Sequence, residues 1–327
     1  MSAITRAPVA RPQLDDLRAR ARGYGRVPMA VVWPCSTDAL DAALTAEHDG
    51  LIDAVLIGPR ARIAETARAA GLDATRLRIE ESDDEPRAAA ALAVDLAKSG
   101  TVGALMKGSL HTDEFLGAVL TREAGLRTAR RVSHAFVLDV PGLGRPLLVS
   151  DCVVNIAPDL AAKRDIVQNA IDLAQALGIG VPRVALLSAV EDVNPAIAAT
   201  VDAAALCKMA DRGQIRGGIV DGPLGMDNAV SAEAARIKGI DSPVAGAPDV
   251  LVVPTLDAGN ILYKALVHLG GADCAGIVLG TRVPIVLTSR ADSRDSRVAS
   301  CALAALHART GGSTAPGAIV DRTAGRT

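Results

Sequence analysis

The chain has 327 residues, of which half are apolar and only 2% aromatic, and its formal net charge is −2. This length and apolar content predict a large aliphatic core and exclude global disorder. Without a basic excess, the composition also argues against a general nucleic-acid binder, because proteins that grip the phosphate backbone carry clustered positive charge.

The spacing of the five cysteines contains no CxxC pair and no zinc-binding cluster, which favours buried, reduced thiols. Apolar runs of membrane-spanning length are absent, and arginines and prolines interrupt the first twelve residues, where a secretory signal needs an apolar core. These features predict a cytoplasmic protein that binds no metal ion and contacts neither a membrane nor a nucleic acid.

The first third of the chain alternates short β-branched segments with amphipathic segments rich in Ala and Leu. This alternation predicts strands over 27–33, 52–57 and 102–107, and helices over 37–48, 60–70, 86–99 and 112–124. Such a βαβα order is typical of an α/β protein with a parallel sheet and helices on both of its faces.

The middle of the chain changes character at a Pro/Gly turn over 141–145. The apolar segments 132–140 and 146–154 flank this turn and predict an antiparallel hairpin. Helices then follow over 159–177, 195–210, 228–237, 257–270 and 296–309, and strands over 183–188, 216–220, 250–253, 274–279 and 284–287. The hairpin is the best candidate for a domain junction. We therefore expect one α/β domain over 1–132 plus 283–327 and a second over 133–282.

The turn Lys107–Thr112 follows a strand and precedes a helix. Ligands of open α/β sheets bind at the carboxyl ends of the strands, and the free N–H groups of a helix N-terminus attract anions. Lys107, Gly108, His111 and Thr112 are therefore candidate anion-binding residues. An ordinary strand-to-helix turn capped by Thr112 explains the same residues.

The turn 288–297 also follows a strand and opens a helix, and it combines hydroxyls with three arginines and two aspartates. The planar guanidinium of arginine suits phosphate. Asp292 or Asp295 can accept a proton or can serve as an ion-pair partner. A solvated, salt-bridged first helical turn is the alternative interpretation.

Two further turns carry polar residues in unusual settings. Asp221 begins the Gly- and Pro-rich turn 221–228, where a carboxylate can bind substrate or merely shape the loop. Gly259 and Asn260 lie early in a predicted helix, where glycine is unfavourable, which indicates close packing or ligand approach. The GxSxG, GxxxxGK[ST] and GxGxxG motifs are absent from these turns.

Four segments, taken in order, resemble the phosphate acetyl/butyryltransferase family over about residues 100–310. They are LMKGSLHTDEF, VSDCVVNIAPDLAAKRDIVQNAI, the stretch from DGPLGMDN to NILYKAL, and VPIVLTSRADSRDSR. The amino-acid sequences of these segments are closer to the butyryl branch of the family. The resemblance implies two α/β domains with a cleft between them, similar to the fold of isocitrate and isopropylmalate dehydrogenases.

The resemblance also implies reversible transfer of a short acyl group, acetyl or else butyryl or propionyl, between coenzyme A and inorganic phosphate. The transfer would proceed through a ternary complex, with acyl-CoA, CoA, phosphate and acyl phosphate as partners. Coenzyme A would be a substrate, and neither a cofactor nor a metal is implied. A homodimer or higher symmetric assembly, formed largely by the second domain, is implied as well.

Carried over by position, Ser289 and Arg290 match the family's Ser–Arg pair in the cleft. The family's acidic base follows shortly after this pair, so Asp295 and Asp292 are both candidates, with Ser296 at the strict position. The candidates for substrate binding are Lys107, Gly108, His111, Thr112, Asp221, Asn260 and Arg294. The helix arginine of the acetyl branch has no counterpart before Arg122.

Two other functions remain open on the residues alone. A decarboxylating dehydrogenase that uses a metal and NAD would need a cluster of carboxylates, and Asp221 with Asp227 does not make a convincing one. A non-catalytic regulator that binds CoA is the second alternative. The missing helix arginine keeps it open, whereas the Ser289–Arg290 pair and the Lys107–Thr112 segment argue against it.

Overall fold

The structure, a computed structural model, describes residues 11–289 and 292–310. Its strands in these ranges are β1 (Val27–Val32), β2 (Ile52–Ile57), β3 (Arg78–Glu80), β4 (Ala104–Lys107), β5 (Ser133–Asp139), β6 (Leu147–Ser150), β7 (Arg183–Leu187), β8 (Ile219–Leu224), β9 (Val250–Val252), β10 (Asp273–Leu279) and β11 (Ile285–Val286). Its helices are α1 (Pro12–Gly23), α2 (Thr37–His48), α3 (Arg60–Ala70), α4 (Pro86–Lys98), α5 (Thr112–Val119), α6 (Leu160–Ala176), α7 (Ala198–Asp211), α8 (Met226–Val230), α9 (Ala232–Ile237), α10 (Leu256–His268) and α11 (Arg294–Thr310).

The strands form one sheet in the order β3-β2-β1-β4-β11-β10-β5-β6-β9-β7-β8. The predicted hairpin is confirmed, since β5 and β6 pair antiparallel. The sheet as a whole is mixed rather than parallel, because β10 runs antiparallel to both β5 and β11. The connection from β10 to β11 spans only residues 280–284. A parallel crossover needs about a dozen residues or more, so this short link requires antiparallel pairing.

Both faces of the sheet are covered, as the apolar strands predict. Met29 and Val31 of β1 belong to one buried cluster, whereas Ala30 and Val32 belong to another. Because successive strand residues point to opposite faces, each face carries its own core. The first core runs along the whole sheet and surrounds α11, whose side chains are buried from Ser296 to His307.

The second face carries two separate clusters. One includes Leu105 and Phe115, and the other includes Phe136, Leu251 and Tyr263. They approach each other over β10 and β11, close to where the predicted domain boundaries fall. The boundaries themselves stay a prediction, because the sheet is continuous across them.

Several elements differ from the sequence-based expectations. Helix α1 and strand β3 were not predicted, and α5 ends at Val119 rather than at residue 124. The expected helix 228–237 is divided into α8 and α9. Ser231 is extended at this point, and its side chain caps α9 by accepting a hydrogen bond from Ala234 N. None of the described helices has the length and apolar character needed to cross a membrane.

Candidate active site

A cavity of about 780 Å³ lies over β10 and β11, where the two clusters of the second face approach each other. Its wall includes Thr112 at the start of α5, Asn260 of α10, and Ser289 and Asp292 after β11. Three of the four turns selected from the sequence therefore meet at one cavity. Part of the lining is apolar, and this apolar wall contains Phe136, Pro141, Val153, Val267 and Leu287.

The loop after β11 is held by the carboxylate of Asp292. Its Oδ2 accepts a hydrogen bond from the backbone N–H of Ser289 at 2.6 Å, and its Oδ1 accepts one from the phenol of Tyr263 at 3.3 Å. Immediately afterwards, Ser293 Oγ accepts from Ser296 N at 3.1 Å and so caps the start of α11. The geometry places Asp292 beside Ser289 on the cavity wall.

Tyr263 connects this loop to the apolar wall. Its ring stacks on Phe136 with 3.9 Å between centroids and 7° between planes. Burial is the largest of the effects that raise the pKa of Tyr263 well above its usual value, and the nearby Cys274 and Asp292 raise it further. The phenol therefore keeps its proton near neutral pH and acts as a donor to Asp292.

Cys274 and Ser296 also line the cavity, with 3.8 Å between Sγ and Oγ. Burial raises the pKa of Cys274 to about 12. The thiolate is the nucleophilic form of cysteine, so a neutral thiol is a poor acceptor for an acyl group. The resemblance places Ser296 at the strict position of the family base, but a neutral hydroxyl is a weak proton acceptor.

Arg297 lies under the loop and is only 5% exposed. Its guanidinium donates to Thr288 Oγ1 at 3.0 Å, to Ser289 O at 2.8 Å and to Asp292 O at 3.4 Å. Arg297 belongs to the turn 288–297 selected from the sequence, where no role was assigned to it. A usable signal was its place in α11, where apolar residues follow it and predict a buried face.

Hydrogen bonds of Lys107 and the close packing of Gly108 hold the turn Lys107–Thr112 in place. Lys107 is buried, and its Nζ donates to Gly108 O at 3.2 Å and to Leu110 O at 3.0 Å. Gly108 packs against the end of β1, where a Cβ would lie 2.4 Å from the carbonyl oxygens of Val32 and Trp33. Lys107 and Gly108 therefore shape the turn rather than line the cavity.

Residues 111 and 112 begin α5. The backbone N–H of His111 donates to Glu114 Oε2 at 3.3 Å, and the residue precedes the helix as its N-cap. Thr112 follows as the first helical residue and lines the cavity. The N-terminal N–H groups of α5 are thus close to the cavity, which favours a bound anion.

Asp295 and Arg294 do not line the cavity, and both take part in ion pairs. Asp295, 49% exposed, pairs with Arg11 at 2.9 Å. Arg11 lines the cavity and also pairs with Asp273. Arg294 pairs with Asp41 of α2 at 3.7 Å. Asp295 therefore reaches the lining of the cavity through its ion pair with Arg11, and Arg290 lies outside the described residues.

Asp221 is remote from these residues. It lies on β8, an edge strand that four other strands separate from β10. At about 4.8 Å between neighbouring strands, this places it roughly 24 Å from the cavity floor. Within residues 11–289 and 292–310, no group of three or more His, Cys, Asp or Glu side chains is arranged to hold a metal ion.

One face of α10 forms the rim of the cavity. Asn260 donates to Cys152 O at 3.4 Å, and Lys264 and His268 follow on the same face, both exposed and lining the cavity. Gly259 packs closely beneath, since a Cβ there would lie 2.7 Å from Val253 Cγ2 and 2.8 Å from Asp151 O. The unfavourable glycine thus serves close packing, while its neighbour faces the cavity.

Residues 77–305, well over half of the chain, match the sequence model of the family described as Phosphate acetyl/butaryl transferase. The chain belongs to this family. Membership confirms the resemblance of the four segments and the expectation of a phosphate acyltransferase. It favours neither the dehydrogenase nor the non-catalytic regulator.

Relatives in this family carry both acetyl and butyryl names. A phosphate acetyltransferase of Rhizobium meliloti is 54% identical over 303 residues, which cover 93% of this chain and 96% of the relative. A phosphate butyryltransferase of Clostridium beijerinckii is 42% identical over 292 residues, covering 89% and 96%. The acetyl and the butyryl name thus both occur among relatives that share at least 42% of their residues with this chain.

Solved structures of the family share the fold. A branched-chain phosphotransacylase from Enterococcus faecalis V583 is 31% identical, with a TM-score of 0.76 over 87% of this chain and 99% of that chain. A candidate 4-hydroxythreonine-4-phosphate dehydrogenase from Salmonella typhimurium has a TM-score of 0.56 at 16% identity, over 86% and 99%. The second likeness concerns the fold alone. It agrees with the expectation of a dehydrogenase-like α/β architecture.

Proposed function

We propose that the chain transfers a short acyl group reversibly between coenzyme A and inorganic phosphate, with both substrates held together in the 780 Å³ cavity. One observation carries this proposal: Thr112, Asn260, Ser289 and Asp292 line the same cavity in a member of the phosphate acetyl/butaryl transferase family. Holding two substrates in one reactive geometry can remove about 7–11 kcal/mol of the barrier.

The reaction has the same intermediate in both directions. Toward CoA acylation, the thiol of CoA gives its proton to a base, and sulfur attacks the carbonyl carbon of acyl phosphate. The tetrahedral intermediate then breaks its bond to the phosphate oxygen, and phosphate leaves. Toward acyl phosphate, a phosphate oxygen attacks the thioester carbon, the carbon–sulfur bond breaks, and the CoA thiolate recovers a proton.

We assign the role of base to Asp292 rather than Asp295. Asp292 lines the cavity, and hydrogen bonds to Ser289 N and Tyr263 orient both of its oxygens. Asp295 instead pairs with Arg11, so we assign it a structural role at the rim. A positioned base contributes roughly 10²–10⁴-fold to such a reaction.

We assign partners to the anionic groups of both substrates. The N-terminus of α5 at Thr112 and the side chain of Arg290 are proposed to hold the phosphate that is transferred. Lys264 and His268 on the exposed rim are proposed to contact the phosphates of CoA. The hydroxyl of Ser289 is proposed to stabilise the negative charge that develops on the carbonyl oxygen.

The apolar wall is proposed to receive the acyl chain. Phe136, Val153 and Leu287 offer a surface on which one to three methylene or methyl groups can be buried. Acetyl is the first candidate, supported by the acetyltransferase name of the relative from Rhizobium meliloti. Propionyl and butyryl are the next candidates.

We further propose that 1–132 plus 283–327 and 133–282 act as two domains, with the cavity as the cleft between them. The separate clusters on the second face support this division. The symmetric assembly and the cytoplasmic location stay predictions from the sequence.

Isotope exchange tests the ternary complex. Labelled phosphate is incubated with acetyl phosphate and the protein, with and without CoA. A ternary mechanism predicts that label enters acetyl phosphate only when CoA is present. Exchange without CoA would indicate a covalent acyl-enzyme, and an absence of exchange under both conditions would overturn the proposed function.

A further inference from the structure

Arg297 places a permanent positive charge in the interior beneath the cavity. Its guanidinium is almost completely buried, and an ion taken out of water is stable only when its donors are satisfied. The donors of Arg297 reach Thr288, Ser289 and Asp292, all within the loop that follows β11. These three contacts of the buried charge therefore lie in one short loop.

Two of these contacts are made to backbone carbonyls, at 2.8 Å for Ser289 and 3.4 Å for Asp292. They fix both ends of the segment that carries the proposed oxyanion donor and the proposed base. The two ends of the same segment are also linked to each other, because Oδ2 of Asp292 accepts a hydrogen bond from Ser289 N. The planar fork of arginine presents its donors in fixed directions, whereas the three donors of a lysine ammonium rotate about a single nitrogen.

We infer that Arg297 is a positioning residue for acyl transfer: it holds Ser289 and Asp292 in their reactive orientation without contacting the substrates. This inference rests on the proposed function of the same cavity. Loss of the guanidinium should lower kcat, because a displacement of about 1 Å in a catalytic group can reduce a rate on the order of 100-fold. The apparent KM for CoA should change little, because the proposed CoA contacts lie on α10.

The test uses Arg297→Ala and Arg297→Lys in the full chain, with kcat calculated per folded molecule from circular dichroism. We expect a fall of roughly 100-fold for Ala and roughly 10-fold for Lys. Added guanidinium, at concentrations that leave the fold intact, should restore part of the activity of the alanine variant. Urea at the same concentration should not.

Arg20→Ala is the matched control. Arg20 also donates to backbone carbonyls, those of Ala176 and Leu177 at the end of α6, but it does not line the cavity. This variant should lose stability and keep its kcat.

Unchanged kcat in both Arg297 variants would overturn the inference. A loss that guanidinium does not restore would also overturn it, because a merely structural role would behave in this way. If Arg297→Ala does not fold, the lysine variant decides by its kcat and KM. Turnover by the wild-type chain in the same assay separates failure of this inference from failure of the proposed function.

Discussion

The phenol of Tyr263 donates a hydrogen bond to Oδ1 of Asp292 at 3.3 Å while its ring lies flat on Phe136. One side chain thus joins the apolar wall of the cavity to the proposed base. Because Ser289 N holds the other carboxylate oxygen, the direction in which Asp292 faces depends on both donors.

Tyr263→Phe removes the donor and keeps the stacked ring. A hydrogen bond to a charged group is worth about 1.5–3 kcal/mol, and the length of this one favours the lower end. We therefore expect kcat to fall about tenfold with little change in melting temperature. Tyr24→Phe is the control, because Tyr24 is the other tyrosine and is 52% exposed at the end of α1. Equal rates for the two variants would show that the hydroxyl of Tyr263 does not contribute to the reaction.

Asp292→Asn and Asp295→Asn distinguish the two candidate bases with the same chemical change. We expect Asp292→Asn to lower kcat by roughly 10²–10⁴-fold, because an amide cannot accept the thiol proton. Asp295→Asn should alter kcat only slightly, since its carboxylate is half exposed and pairs with Arg11. Steady-state rates with CoA and acetyl phosphate measure both variants. The reverse order of effects would assign the base to Asp295.

Gly108→Ala tests the close approach of the Lys107–Thr112 turn to β1. The new Cβ would lie 2.4 Å from two backbone oxygens, so the turn must move. We expect a loss of about 1–3 kcal/mol in the free energy of unfolding and a lower rate, because Thr112 moves with the turn. Gly117→Ala in α5 meets nothing within 4 Å and should instead gain about 0.5–1 kcal/mol. Urea titrations compare the two, and equal stabilities would contradict the packing described.

His134→Phe tests the stability of the core at low pH. His134 is completely buried, and neither ring nitrogen has a hydrogen-bond partner among the described residues. Burial lowers the pKa of His134 from 6.5 to about 3, and burial also lowers the pKa of His307 to about 4. Between these values and 6.5 the unfolded chain binds more protons than the folded one. Stability is therefore complete above pH 6.5 and falls as the pH is lowered.

Each of these histidines contributes up to about 1.4 kcal/mol of lost stability per pH unit in its window. The phenylalanine variant should lose about half of this histidine-dependent slope between pH 6.5 and 4, because His307 remains. At pH 7 it should be at least as stable as the wild type, since two unpaired buried nitrogens are removed. Unfolding curves across this range measure the slope, and an unchanged slope would show that His134 does not titrate as described.

Local patterns predicted most of the fold. Helix α2 and strand β2 were predicted to the residue, because β-branched runs and alternating apolar positions depend only on neighbouring residues. Helix α1 was missed. It is rich in arginine, and it depends on contacts with distant segments: Leu14, Leu17 and Ala21 are buried, and Asp139 accepts hydrogen bonds from Gln13 N and Leu14 N. The antiparallel direction of β10 was not predicted either, because it follows from the short connection 280–284 and not from the residue pattern of the strand.

The candidate site was harder to predict than the fold. Thr112, Asn260, Ser289 and Asp292 could be selected because each follows a strand or begins a helix at the same edge of the sheet. Asp221 met the same local criteria, but β8 lies at the far edge. Tyr263 and Phe136 carried no local signal of this kind, since their roles depend on contacts between distant segments. Arg297 lies in the selected turn 288–297, and its contacts to Thr288, Ser289 and Asp292 stay within that turn.

The most direct test of acyl transfer to phosphate is the release of CoA thiol by the wild-type chain. Acetyl-, propionyl- and butyryl-CoA are supplied one at a time to the folded protein, with and without inorganic phosphate, and the free thiol is measured. We predict thiol release from at least one acyl-CoA that depends on phosphate and is matched by an equal amount of acyl phosphate. If none of the three acyl-CoAs releases thiol in response to phosphate, the central claim is wrong.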